Sequence, residues 1–217
     1  MNLERHAFAY EITSGKFSEF RALLGENWEL IKALADSVKA FNFSLWNIED
    51  LVFGYYETDG LPVPGKDTEE MLACLNDKFR DIGRWISAPD GEMRLMYQDF
   101  GIVRENKELI RHRVFATRLR GDFQEEYKRR HDALVTARGN SVTKGPDSNF
   151  SIWNAERFIF GYDGIDVTME QEETPESREE TIAWETKMLE IMEWYTDDVD
   201  WITGEHHKHV QRIGWYR

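Results

Sequence analysis

The chain has 217 residues, with 41 Asp and Glu against 27 Lys and Arg and a formal net charge of −14. That acidic surplus argues against nucleic acid and anionic membrane as partners, since both are bound through Lys and Arg. A single cysteine, Cys74, excludes an internal disulfide, and no apolar run is long enough to span a bilayer. The first residues lack the apolar stretch of a signal peptide. The expectation is a soluble cytoplasmic protein.

Residues 7–12 alternate, with Phe8, Tyr10 and Ile12 on one face, and predict a first strand. Ser14 and Gly15 turn the chain. Phe17, Phe20, Leu24, Trp28, Ile31, Ala35 and Val38 recur at helical spacing and predict one long amphipathic helix. Next comes a cassette, NFSLWNIEDLVFGY at 42–55, that returns as NFSIWNAERFIFGY at 149–162. Nine of its fourteen positions are identical without a gap, so it is an internal repeat. Each copy alternates, then becomes continuously apolar, with Asn-x-Glu-x between. That pattern predicts two antiparallel strands and a short turn, the second strand lying mid-sheet. Pro62 and Pro64 then mark a loop. Asp67 with Glu70 reads as a capping-box-like start, and Leu72, Leu75, Phe79, Ile82 and Ile86 line a second helix. The run 88–91 stops it, and 93–103 predicts a fourth strand.

The charged stretch 104–112 reads as a linker. The order then repeats: a strand at 114–119, a helix at 123–137, a loop through 139–146 and the second cassette. Thr174-Pro175 with Ser177 and Glu180 announces another helix, striped by Trp184, Met188, Ile191, Tyr195 and Val199. A last strand is expected at 206–217. Each half reads β-α-β-β-α-β, the ferredoxin-like order, so the expected class is α+β with two tandem ferredoxin-like repeats, 1–104 and 105–217.

Superposing the halves exposes one asymmetry. Phe20 and Leu24 of the first half correspond to Tyr127 and His131 of the second. An apolar pair has become a polar pair at i and i+4, able to reach one point. Two readings stand: core residues with satisfied hydrogen bonds, or an acid–base site, for which His is the natural residue near neutral pH. Elsewhere, Cys74 reads as a structural helix residue. His206, His207 and His209 lack a carboxylate to complete a metal site, so no metal is expected. The acidic run at 170–173 with Glu176, Glu179 and Glu180 reads as a solvated loop and helix start.

Residues 123–131, FQEEYKRRH, resemble the E-E-Y-x-R-R-H helix start of L-rhamnose mutarotases. NFSIW at 149–153 resembles that family's Asn-aromatic-x-Ile-aromatic strand, and Arg113-Val114-Phe115 fits its first strand. The resemblance covers nearly all of the second half. It implies a dimer of ferredoxin-like subunits, here fused in one chain as an intramolecular dimeric α/β barrel. It implies His131 as the proton-transfer residue and Tyr127 as a sugar contact, with Arg130 of the same motif as a further substrate-side residue. Phe150 stands where the family has a Tyr and cannot donate its hydrogen bond. The family's Trp-Trp pair on the last helix has Trp194 and Tyr195 as nearest candidates. An aromatic shortly after the family's His is matched by Trp28 in the first half but by Val135 in the second. Trp153 and Trp194 are the rings expected against the sugar's apolar face.

The function so implied is interconversion of the α and β anomers of a free aldose, with no cofactor and with the first repeat as non-catalytic support. Two alternatives stand beside it. One is a carbohydrate-binding or regulatory protein without catalysis, favoured by Phe150 and the missing Trp-Trp pair. The other is a small monooxygenase of the dimeric α/β barrel superfold, because one fold hosts many functions.

Overall fold

The computed structural model describes residues 2–87, 92–99, 111–139, 150–165, 174–196 and 210–216. The first repeat comprises β1 (Leu3–Ile12), α1 (Phe17–Glu26), α2 (Trp28–Ser37), β2 (Phe41–Ile48), β3 (Leu51–Asp59), α3 (Lys66–Phe79) and β4 (Gly83–Trp85). A further strand follows, β5 (Arg94–Asp99). The second repeat comprises β6 (Arg111–Leu119), α4 (Gln124–Arg138), β7 (Phe150–Ala155), β8 (Phe158–Ile165), α5 (Pro175–Met188) and β9 (Met192–Thr196), and the chain then forms β10 (Val210–Tyr216). No helix among the described residues is long and apolar enough to cross a membrane.

The class is α+β, with two antiparallel sheets ordered β10-β2-β3-β1-β4 and β5-β7-β8-β6-β9. Within each repeat the first four strands give the ferredoxin-like order. The fifth strand of each sheet comes from the other repeat. The chain divides into one unit of residues 1–93 with 211–217 and a second of 94–210. The strand expected at 93–103 is therefore not the fourth strand of the first sheet. That place belongs to β4, paired with β1, while β5 pairs with β7. Likewise β10 joins β2 in the first unit.

The identities in the repeated cassette have structural causes. Asn47 donates its side-chain amide to the carbonyls of Glu49 and Leu51, at 2.7 and 3.0 Å. Asn154 does the same to Glu156 and Phe158, at 2.9 and 3.0 Å. Glu49 and Glu156 take the left-handed turn position, with φ of 52° and 48°. Trp46 and Trp153 each donate the indole N–H to the serine two residues earlier, at 3.0 Å. Gly54 and Gly161 lie beneath a cross-strand ring: a Cβ there would come within 1.9 Å of Phe8 or of Phe115. The cassette is thus a hairpin scaffold. Its second strands, β3 and β8, are mid-sheet and almost wholly buried.

Helix boundaries depart from the periodicity in four places. The long first helix is two, broken at Asn27, whose backbone leaves helical geometry at φ −107° and ψ 12°. Its side-chain amide joins its backbone N–H in donating to the Leu23 carbonyl, at 2.8 and 3.1 Å. The second helix stops at Phe79 rather than reaching Ile86, because Thr13 N–H binds the Ile82 carbonyl at 2.8 Å and draws the chain into β4. Its start is capped by Gly65 without a side-chain bond, so the Asp67/Glu70 capping box does not form. The last helix ends at Met188, and Trp194 and Tyr195 belong to strand β9. Its start does carry a capping box: Thr174 Oγ1 accepts from the Ser177 N–H at 3.2 Å, and Ser177 Oγ accepts from the Thr174 N–H at 3.0 Å. Cys74, expected as a packing residue, is exposed. The linker up to 110, the loop 140–146, the acidic residues 170–173 and His206, His207 and His209 lie outside the described residues.

Candidate functional site

In the first unit, the space between helix and sheet is filled. Phe20 and Leu24 are buried in a cluster with Tyr10, Ile12 and Phe43. The Tyr10 ring stacks 5.9 Å from Phe20 and stands edge-on to Phe79 at 6.3 Å and to Trp85 at 5.4 Å.

The second unit keeps the frame and removes the filling. Phe115 crosses Gly161 as Phe8 crosses Gly54, so Thr117 stands where Tyr10 does. Trp194 pairs with Thr117 as Trp85 pairs with Tyr10. Helices α3 and α5 each have 14 residues, which sets Met188 opposite Phe79 and Glu185 opposite Asn76. Losing the rings of Tyr10 and Phe79 leaves a cavity of about 200 Å³, lined in part by Tyr97, Tyr127, His131, Phe150, Trp184 and Glu185. Met188, Met192 and Trp194 complete much of the remaining wall.

His131 is 4 % exposed. Its ring stacks on Tyr127 at 4.4 Å, and stands 5.2 Å from Trp184 and 5.3 Å from Tyr97. Nδ1 lies 3.0 Å from the Tyr127 carbonyl. A carbonyl only accepts, so Nδ1 carries the proton and Nε2 is left as a bare base. Burial among rings disfavours the imidazolium and pulls the pKa down to about 4, against a small opposing pull from that carbonyl. The imidazole is therefore neutral at neutral pH. Burial, then the nearby Glu185 carboxyl, pushes the Tyr127 phenol well above its ordinary range, so it stays a hydrogen-bond donor. Arranged this way, the site can accept a proton at Nε2 and donate hydrogen bonds from a phenol.

Of the residues singled out in the sequence, Tyr127, His131, Phe150 and Trp194 share this cavity. Trp153 does not. It follows Ile152 on β7, so it points to the opposite sheet face, where its indole binds Ser151. Tyr195 likewise faces away from Trp194, packing on Phe158 at 5.5 Å. Arg130 binds Glu126 at 2.7 Å, Glu190 at 3.0 Å and the Lys187 carbonyl, tying α4 to the end of α5 rather than reaching the cavity.

Trp184, Glu185 and Tyr97 are among the wall residues that were not sequence candidates. Trp184 was read as part of an apolar stripe. Glu185 follows it in sequence and is 2 % exposed; the signal for it was the replacement of Asn76 by an acid. Tyr97 had no signal, because its strand was assigned to the other sheet. Among the described residues, no group of three His, Cys, Asp or Glu could hold a metal ion.

Residues 112–213 match the family model for L-rhamnose mutarotase. No curated relative matches the chain. Three solved structures are similar over nearly all of it. A "Putative monooxygenase" from Fusobacterium nucleatum subsp. nucleatum is 8% identical, with a TM-score of 0.45, covering 98% of this chain and 93% of that one. A second, from Lactobacillus acidophilus, is 7% identical at 0.44, covering 97% and 95%. An anthrone oxidase-like protein is 12% identical at 0.43, covering 98% and 93%.

Proposed function

We propose, from the match of residues 112–213 to the L-rhamnose mutarotase family model, that the second unit interconverts the α and β anomers of a free aldose. The observation that carries this reading is His131, a buried neutral imidazole with Nε2 unprotonated, which lines the cavity beside the protonated phenol of Tyr127. His131 takes the proton of the anomeric hydroxyl. The C1–ring-oxygen bond breaks and the ring oxygen takes up a proton, giving the open aldehyde. The anomeric and ring oxygens share C1, so one imidazole nitrogen serves both in sequence, while Tyr127 steadies the developing charge by donating a hydrogen bond. Rotation about C1–C2 and the reverse steps return either anomer. Trp184 and Trp194 offer faces for the apolar side of the sugar. The partner is a small sugar, and the first unit, whose equivalent space is filled by Tyr10, Phe20 and Phe79, acts as support.

The test is two-dimensional exchange NMR of α and β anomers over a panel of aldoses that includes L-rhamnose. Wild type is expected to accelerate exchange. His131→Ala is expected to lose about 10²–10⁴-fold in rate, and Tyr127→Phe less. Equal rates for wild type and His131→Ala would remove His131 from the mechanism. A second reading, sugar binding without catalysis, is favoured by Phe150, which lacks the hydroxyl of the family's tyrosine. Saturation transfer from wild-type protein to a sugar whose exchange is not accelerated would establish it.

A further inference from the structure

Strand β5 follows the first repeat in the chain but lies in the second sheet, beside β7. It brings Tyr97 into the cavity wall, with its ring 5.3 Å from His131 and 5.7 Å from Phe150. Tyr97 pairs directly with Ile152, another wall residue. The phenol is set by a charged pair behind it. Asp99, two residues along the same strand, and Arg138, the last residue of α4, form an ion pair at 2.5 Å. Tyr97 donates to Asp99 Oδ2 at 3.4 Å, and Arg138 Nη1 donates to the Tyr97 hydroxyl at 3.5 Å. Both contacts are longer than ordinary hydrogen bonds and correspondingly weak. They hold the hydroxyl near its place while leaving it able to turn to a stronger partner.

We infer that Tyr97 is a substrate-contacting residue of the second unit's site, donating to a sugar hydroxyl, with Asp99 and Arg138 as its positioning residues. The inference rests on the aldose reading for the identity of the ligand. The role falls to Tyr97 because its ring adjoins both His131 and Phe150 in the cavity wall and carries a hydroxyl that Phe150 does not. The strand that follows the first repeat in the chain thus supplies part of the second unit's wall. A contact of this kind is made in ground state and transition state alike, so its loss raises KM and leaves kcat nearly unchanged.

The experiment uses the full chain, with L-rhamnose and the aldose panel as probes, and reads exchange rate against sugar concentration alongside saturation-transfer binding. Tyr97→Phe is expected to raise KM about three- to tenfold, the value of one neutral hydrogen bond, with kcat within about twofold. Asp99→Asn, which keeps the phenol and loosens its support, is expected to raise KM less. His131→Ala moves kcat instead. Unchanged KM in Tyr97→Phe with an active wild type would overturn the role of Tyr97 and leave the mutarotase reading standing. Wild type that binds sugar without accelerating exchange, and binds more weakly as Tyr97→Phe, would sink catalysis and keep Tyr97. Neither binding nor exchange by wild type would overturn both.

Discussion

His131→Leu puts into the second unit the residue that its twin position, Leu24, already carries, and it separates burial from chemistry. Folded, His131 takes a proton only near pH 4, because its charged form is buried among rings. Unfolded, it takes one at about 6.5. Between those values the unfolded chain holds the extra proton, so acid favours unfolding, and the folded state loses stability as pH falls through the window. Integrating the difference gives a loss of about 2 kcal/mol by pH 5 and about 3 kcal/mol by pH 4, relative to pH 7. Leucine has no proton to exchange and suits a wall of Met188, Met192 and aromatic rings. The variant is therefore expected to unfold at higher urea than wild type at pH 4.5, with the advantage shrinking towards pH 7, and to lose anomer exchange at every pH. The assay is urea unfolding followed by tryptophan fluorescence at half-unit steps from pH 4 to 7.5. Other carboxylates titrate over the same range, but they are common to both proteins and cancel in the difference. A stability difference that stays constant across the series would refute the claim that His131 is buried in its neutral form.

Two further perturbations test the frame around the site. Gly161→Ala would drive a Cβ to 1.9 Å from the Phe115 ring, which lines the cavity. It is expected to cost about 1–3 kcal/mol in overpacking and to slow the proposed exchange, whereas Gly54→Ala, which strikes Phe8 in the same way, should lower stability without slowing exchange by the folded protein; equal kinetic effects would refute the assignment of the site to one unit. Leu24→His in the first unit should cost about 1–3 kcal/mol by burying a polar ring in a filled core and should create no second site, which sugar titration of a Leu24→His, His131→Ala protein checks: anomer exchange recovered there would show that the filling by Tyr10 and Phe79 is not what silences the first unit.

Much of the architecture was legible because its causes are local. The cassette's Asn, Glu, Ser, Trp and Gly each answer to a turn bond, an indole bond or a ring crossing a neighbouring strand within a few residues or one strand pair. Such constraints repeat wherever the hairpin repeats, so two copies in the chain announced two hairpins. The substitution of Phe20 and Leu24 by Tyr127 and His131 was visible for the same reason. Helix ends were less legible. The apolar period runs on past Phe79 and Met188, but the chain leaves the helix there because β4 and β9 find partners on β1 and β6.

By itself, the sequence determined the opening strand, helix and hairpin of each repeat and which repeat carries the polar pair, since these follow from periodicity and from side chains one helical turn apart; the fourth strands, β4 and β9, fell within stretches whose apolar period reads as helix. Only the tertiary structure decided which strand closes which sheet, because β5 and β10 pair with β7 and β2 across long stretches of chain, and strand periodicity names a face but never a partner. That pairing brought Tyr97 beside His131. The faces of β7 and β9 decided the rest: alternation sends Phe150 and Trp194 into the cavity and turns Trp153 and Tyr195 away, a choice fixed by which side of each strand the helices cover.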